Sequence, residues 1–176
     1  MKNIKYFLQF IIAIISFLIF RFIGPNLSSK LSGKIFEFIG PLFRSKKIIY
    51  ANIKRGIPNT NSENLKKITK LMWNNYGRVF AEYMFIKDFR YGKLAQKVYI
   101  EGQEILDEIK ESNRQVIFIS GHFGNFELMA MHLEKNGIKL SAIYRPLNNI
   151  FLNRIMERIR KKYICKNQIK KGIGGL

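Results

Sequence analysis

The residues best suited to chemistry lie in Ser120-Gly121-His122-Phe123-Gly124-Asn125-Phe126-Glu127-Leu128. Histidine is the side chain most readily used as a base near neutral pH. It needs a partner that fixes its tautomer and stabilises the imidazolium after proton capture, and a carboxylate does both. His122 and Glu127 have the spacing H-x4-E. If a helix starts near Asn125, His122 lies just before it and Glu127 in its first turn, so the two side chains can meet. Gly121 and Gly124 permit backbone angles that other residues resist. A hydroxyl bound against His122 would lose its proton and attack an activated acyl group, with no Ser or Cys nucleophile required. Taken alone, so short a pattern favours a loop histidine with an ordinary hydrogen bond. The Gly-x-x-Gly frame, with a strand before it and a helix after it, favours the base.

Those flanking elements read directly. Residues 116–119 are apolar and suit a strand; residues 128–133 continue as an apolar helix. Functional groups of α/β folds gather at the carboxyl ends of strands. Tyr144-Arg145-Pro146 ends a second strand pattern at residues 139–144. Arg145 there could stabilise developing negative charge or hold a phosphate, and it also fits an ordinary surface arginine. The following segment carries Arg154, Arg158, Arg160, Lys161, Lys162, Lys166, Lys170 and Lys171 against Glu157. Arg154, Arg158 and Lys162 are four apart and share a helix face. That is more charge than solvation needs, and it suits an anionic head group or an acidic protein. His122, Glu127 and His132 make H-x4-E-x4-H, but five helical residues set Glu127 and His132 about 140° apart. With H-E-x-x-H absent, the expectation is no metal and no cofactor. Gly172-Ile173-Gly174-Gly175 lacks the phosphate-loop frame and reads as a flexible connection.

The rest of the chain supplies a setting for this turn. Its 176 residues suffice for one domain and a membrane segment. The net charge of +19 calls for an anionic partner. Nucleic acid is disfavoured, because no recognition motif is present and the N-terminus is apolar. The single cysteine, Cys165, excludes an intrachain disulfide. Residues 6–20 are almost wholly apolar and, counted to Ile23, approach the ~20 residues of a membrane span. No small-residue cleavage site follows, so the segment reads as an uncleaved anchor, spanning or interfacial. From Arg21 to Thr60 there are eight basic residues and one acidic residue, Glu37. Positive charge collects on the cytoplasmic side, so the globular part should face the cytoplasm.

Two short helices are expected at residues 27–39 and 43–54, on the membrane surface or packed on the core. A strong helix should open at Ser62, followed by a basic connection over 89–96. Then come strands at 98–100, 116–120 and 139–144, alternating with helices at 102–110, 125–136 and 149–163. The fold class is therefore α/β: an anchor helix and helical region, then a β-sheet covered by helices. The domains would be an anchor at 1–25 and a catalytic domain at 26–176.

Gly121-His122-Phe123-Gly124-Asn125-Phe126-Glu127 resembles the signature of the bacterial lipid A late acyltransferases, the lauroyl/myristoyl acyltransferase family. Tyr144-Arg145-Pro146, the stretch from Asn153-Arg154 to Arg160, and Lys170-Lys171-Gly172-Ile173-Gly174-Gly175-Leu176 resemble its later blocks, and the N-terminal helix is similar too. The resemblance implies transfer of a fatty acyl chain from acyl carrier protein to a hydroxyl of a lipid A precursor at the inner membrane. It implies a glycerolipid-type H-x4-D/E acyltransferase fold. His122 would be the base, Glu127 its partner and Arg145 a stabiliser of charge. Gly124, Asn125, Arg154, Arg158 and Lys162 would bind substrate. Family chains continue with an Asp-Gln block and a further section, which implies that this chain corresponds to their N-terminal part. Another membrane glycolipid or phospholipid as acceptor, or an inactive remnant, are the competing readings.

Overall fold

The computed structural model describes residues 2–172. The connection expected from Gly172 onward lies mostly outside the described residues. Contacts gather the chain into two units: Phe17–Met84, and residues up to Ser16 together with those from Phe85 on. Helix α1 (Lys2–Ile23) runs unbroken across the first division.

The unit Phe17–Met84 is wholly helical. It holds the end of α1, then α2 (Pro25–Ile39), α3 (Lys46–Gly56) and α4 (Ser62–Glu82). Pro25 opens α2 at its first turn, where its missing N–H is no loss. α4 opens at Ser62 as expected, and Asn61 caps it: its side chain accepts from the Asn64 N–H at 2.8 Å. Phe80 of α4 collects Phe17, Phe20 and Phe36, with ring centres 4.9, 6.0 and 5.6 Å away. α2 meets α4 through small residues. A Cβ on Gly77 would fall 2.3 Å from the Ser32 carbonyl oxygen, so only glycine allows this approach.

The other unit begins with the first part of α1 and includes α5 (Ile86–Tyr91), which runs into the start of the connection expected over 89–96. It continues with α6 (Gln103–Ser112), α7 (Glu127–Lys135), β1 (Ser141–Tyr144), α8 (Ile150–Tyr163) and β2 (Asn167–Lys170). Asn149 caps α8 by accepting from Phe151 and Leu152 N–H at 3.1 and 3.2 Å. Its amide donates to the Tyr6 carbonyl at 2.8 Å, and the Phe151 ring centre lies 5.8 Å from those of Phe7 and Phe10. Arg90 of α5 donates to the Tyr163 carbonyl at 3.1 Å and lies 3.8 Å from Glu134, which ties α5 to α7 and α8. Ile164 and Cys165, between α8 and β2 in the chain, are fully buried.

β1 and β2 pair in parallel, Ser141 with Asn167 through Tyr144 with Lys170. α8 is their crossover, as parallel pairing requires. β2 was not anticipated, because Asn167-Gln168-Ile169-Lys170 carries one apolar residue. Among the described residues this sheet has only two strands. Residues 98–100 and 116–120 are not strands here. Ile117 and Ile119 are 87% and 92% exposed. Strand propensity makes a strand only where a neighbour supplies the ladder of hydrogen bonds. The molecule is thus mostly helical, with an apolar N-terminal helix and a small sheet in place of the larger covered sheet expected.

Candidate active site

Of the two glycines in the turn before α7, only Gly124 takes a positive φ. Gly124 adopts φ +50°, and the Leu128 N–H bonds the Asn125 carbonyl at 3.1 Å, so α7 starts at Glu127. A carboxylate in the first turn is favoured by the helix dipole. Glu127 is buried, 6% exposed. A buried carboxylate needs a partner, and Arg160 of α8 provides it. The Arg160 Nε donates to Glu127 Oε1 at 2.8 Å, and a second guanidinium nitrogen donates to the same oxygen. Both side chains are almost out of water, at 13% and 7% exposure.

Arg160 is held in turn. Its guanidinium lies 5.7 Å from the centre of the Tyr144 ring. The Tyr144 hydroxyl donates to Glu157, which also accepts from Asn153 Nδ2 at 2.9 Å and lies 3.2 Å from the Lys170 ammonium. Burial, then the Glu157 hydrogen bond, pushes the Tyr144 phenol up to about 12. The Tyr144 hydrogen bond holds the Glu157 carboxyl below its usual range against the opposing effect of burial. A polar chain therefore runs from β2 through α8 and β1 to the start of α7.

His122 is exposed, and its ring centre lies 4.2 Å from that of Phe126. Among the described residues no hydrogen bond joins it to Glu127. Glu127, expected to partner His122, is paired in this structure with Arg160. Gly124 is exposed and Asn125 half-buried. Arg145 is exposed just past β1, and Arg154, Arg158 and Lys162 line the outer face of α8. Arg160 was read only as part of a basic run. A signal was present: two residues rotate it about 200° from Arg158, onto the opposite, inward face. His132 is half-buried in α7; burial, then Lys135, pushes its imidazole below its usual value. Burial, then Glu134, pushes the Cys165 thiol up. That opposes a nucleophilic role, since the thiolate is the reactive form.

Comparison with known proteins adds the kinship. Residues 1–170 match the family described as bacterial lipid A biosynthesis acyltransferase. A relative from Shigella flexneri, lipid A biosynthesis acyltransferase 2, is 32% identical over 71 residues. That alignment covers 40% of this chain and 23% of the relative, so the chain matches about a quarter of that protein's length. No solved structure matches. The match across nearly the whole chain settles the kinship: this chain belongs to the bacterial lipid A biosynthesis acyltransferase family.

Proposed function

We propose that the chain serves O-acyl transfer at the inner membrane, moving a fatty acyl group from acyl carrier protein to a hydroxyl of a lipid A precursor. The observation that carries this reading is Glu127, buried in the first turn of α7 and oriented by Arg160, one short turn from His122. Both guanidinium hydrogen bonds fall on Oε1. Oε2 is then the oxygen for an imidazole N–H once His122 turns inward on binding substrate.

The acceptor hydroxyl gives its proton to His122 as its oxygen attacks the thioester carbon. The tetrahedral intermediate collapses, the C–S bond breaks, and the carrier's thiolate takes the proton back from the imidazolium. Glu127 stabilises that imidazolium. Arg145 stabilises the oxyanion. Gly124 and Asn125 shape the approach to the turn. Arg154, Arg158 and Lys162 receive lipid phosphates or the acidic carrier. The N-terminal segment, residues 1–25, is the anchor of a catalytic part formed from residue 26 onward. α1 is long and apolar enough to cross a membrane, and its basic flank would face the cytoplasm.

The test is acyl transfer on membranes, with acyl carrier protein loaded with a labelled fatty acid as donor and a tetraacylated lipid A precursor as acceptor. His122→Ala should lower the rate roughly 10²–10⁴-fold, the usual contribution of a general base. Undiminished transfer by that variant would overturn the mechanism.

A further inference from the structure

We infer that α2 lies in the membrane–water interface with its apolar face against lipid acyl chains, a second membrane contact beside α1. This reading concerns the unit Phe17–Met84 and does not depend on the chemistry at His122.

A helix of a water-soluble protein buries its apolar stripe and exposes its polar one. α2 does the reverse. Its buried residues are Ser28, Ser29, Ser32 and Gly33. Leu27, Leu31, Ile35 and Phe38 are 57%, 43%, 43% and 79% exposed. Their spacing of four, four and three places them on one stripe. The inward face packs on the rest of its unit, and two of its three serines bond there. The Ser28 hydroxyl donates to the Phe20 carbonyl at 2.8 Å, and the Ser29 hydroxyl to Glu82 at 2.9 Å. Ser32 meets Gly77 at a distance that excludes any side chain. Small residues at the helix contact and large apolar ones outward is how helices pack where lipid, not water, surrounds them.

Charge and length fix how α2 meets that lipid. Lys30 and Lys34 are exposed beside the stripe, and Arg44, Lys46 and Lys47 follow, all exposed. Leu42 and Phe43, at 84% and 68% exposure, extend the apolar surface past the helix. An apolar stripe flanked by lysines suits a leaflet with anionic head groups. Fifteen residues make a helix about 22 Å long, short of the ~30 Å hydrocarbon core, so α2 lies along the surface. Only Gly24 separates α2 from α1, which is long and apolar enough to cross a membrane. The identity of the occupant rests on the anchor role proposed for α1: with α1 in the bilayer, lipid is continuous with the face, which favours it over a second copy or another protein.

Nitroxide labels at Leu31, Phe38 and Lys67, each placed singly in the full chain with Cys165→Ala, test the proposal. Lys67 lies exposed on α4 as the aqueous control. The protein is reconstituted in phosphatidylcholine–phosphatidylglycerol vesicles, and collision with oxygen is compared with collision with a water-soluble nickel chelate. The Leu31 and Phe38 labels should favour oxygen several-fold, and the Lys67 label nickel. Nickel access at Leu31 and Phe38 equal to that at Lys67 would overturn the proposal. So would shielding from both reagents, which would put protein on this face. Omitting phosphatidylglycerol, or introducing Lys30→Gln with Lys34→Gln, should shift the Leu31 label several-fold toward nickel. An unchanged ratio in both would overturn the part played by anionic head groups.

Discussion

α2 and α8 have 15 and 14 residues, and each mixes apolar side chains with lysine or arginine. α8 turns Arg154, Arg158, Lys161 and Lys162 outward and half-buries Phe151, Ile155, Met156 and Ile159. α2 turns Leu27, Leu31, Ile35 and Phe38 outward and buries serine and glycine. Periodicity says which residues share a face. What lies opposite decides which face goes in. Against α2 stands Gly77 of α4, a notch that only a small-residue ridge can enter. Against α8 stand a buried carboxylate and an aromatic ring, which draw in Arg160 while its charged neighbours remain in water. The inward faces are therefore held by different physics, steric fit in one and charge pairing in the other.

The largest effect should come from breaking the charge pair. Arg160→Ala leaves Glu127 buried without its counter-charge, and loss of one partner of such a pair costs about 3–5 kcal/mol. Denaturant unfolding in detergent would read this loss. Glu127→Gln combined with Arg160→Met should restore much of it, because no lone charge is left behind. Arg158→Ala, on the outer face, should change stability by only about 0.5 kcal/mol. Equal losses at 158 and 160 would erase the distinction between the two faces of α8.

The steric face of α2 should respond next. Gly77→Ala forces α2 and α4 apart and should cost about 1–3 kcal/mol, as overpacking does. Leu31→Ala removes a larger side chain, but from the outward face, and should cost no more than about 0.5 kcal/mol in detergent. A loss of about 2–5 kcal/mol from Leu31→Ala, the range of a core leucine, would show that face packed on protein.

The same asymmetry explains what could be read in advance. A continuous apolar run gave α1, and periodic stretches gave α4 and α8 nearly to their ends, because both signals are local. The turn at residues 121–127 was legible for the same reason: glycines, a histidine and a helix start are adjacent in the chain. Partners distant in sequence were not. Nothing in residues 116–120 reveals whether a neighbouring strand is present, and here they run without one. β2 shows the converse, a polar tetrapeptide made a strand by its pairing with β1. The link from Glu127 to Arg160 spans thirty-three residues, and only the helical phase of Arg160 hinted at it. The inversion of α2 was hidden too, since Ser28, Ser29 and Ser32 look like surface residues until Gly77 is placed opposite them.

The smallest expected effect probes how the charge-paired face is supported. Glu157 has a depressed carboxyl, through the Tyr144 hydrogen bond first, then Asn153 and Lys170, against the opposing effect of burial. A group whose folded pKa is lowered adds stability above its unfolded pKa and loses it as pH falls through the folded one. Glu157→Gln should therefore destabilise most near neutral pH, and the gap to the wild type should close below the ordinary carboxylate value of about 4.3. Tyr144 is displaced upward, to about 12, by burial and then by Glu157. Its stabilisation is complete below the unfolded value of about 10 and fades as pH rises toward the folded one. Tyr144→Phe keeps the ring face beneath Arg160 and removes only the hydroxyl. It should cost about 1 kcal/mol near neutral pH and flatten both the acid and the alkaline limbs, as urea midpoints across the pH range would record. If Tyr144→Phe flattened neither limb, Glu157 and Tyr144 would be independent neighbours of Arg160, and the inward face of α8 would rest on the Glu127 pair alone.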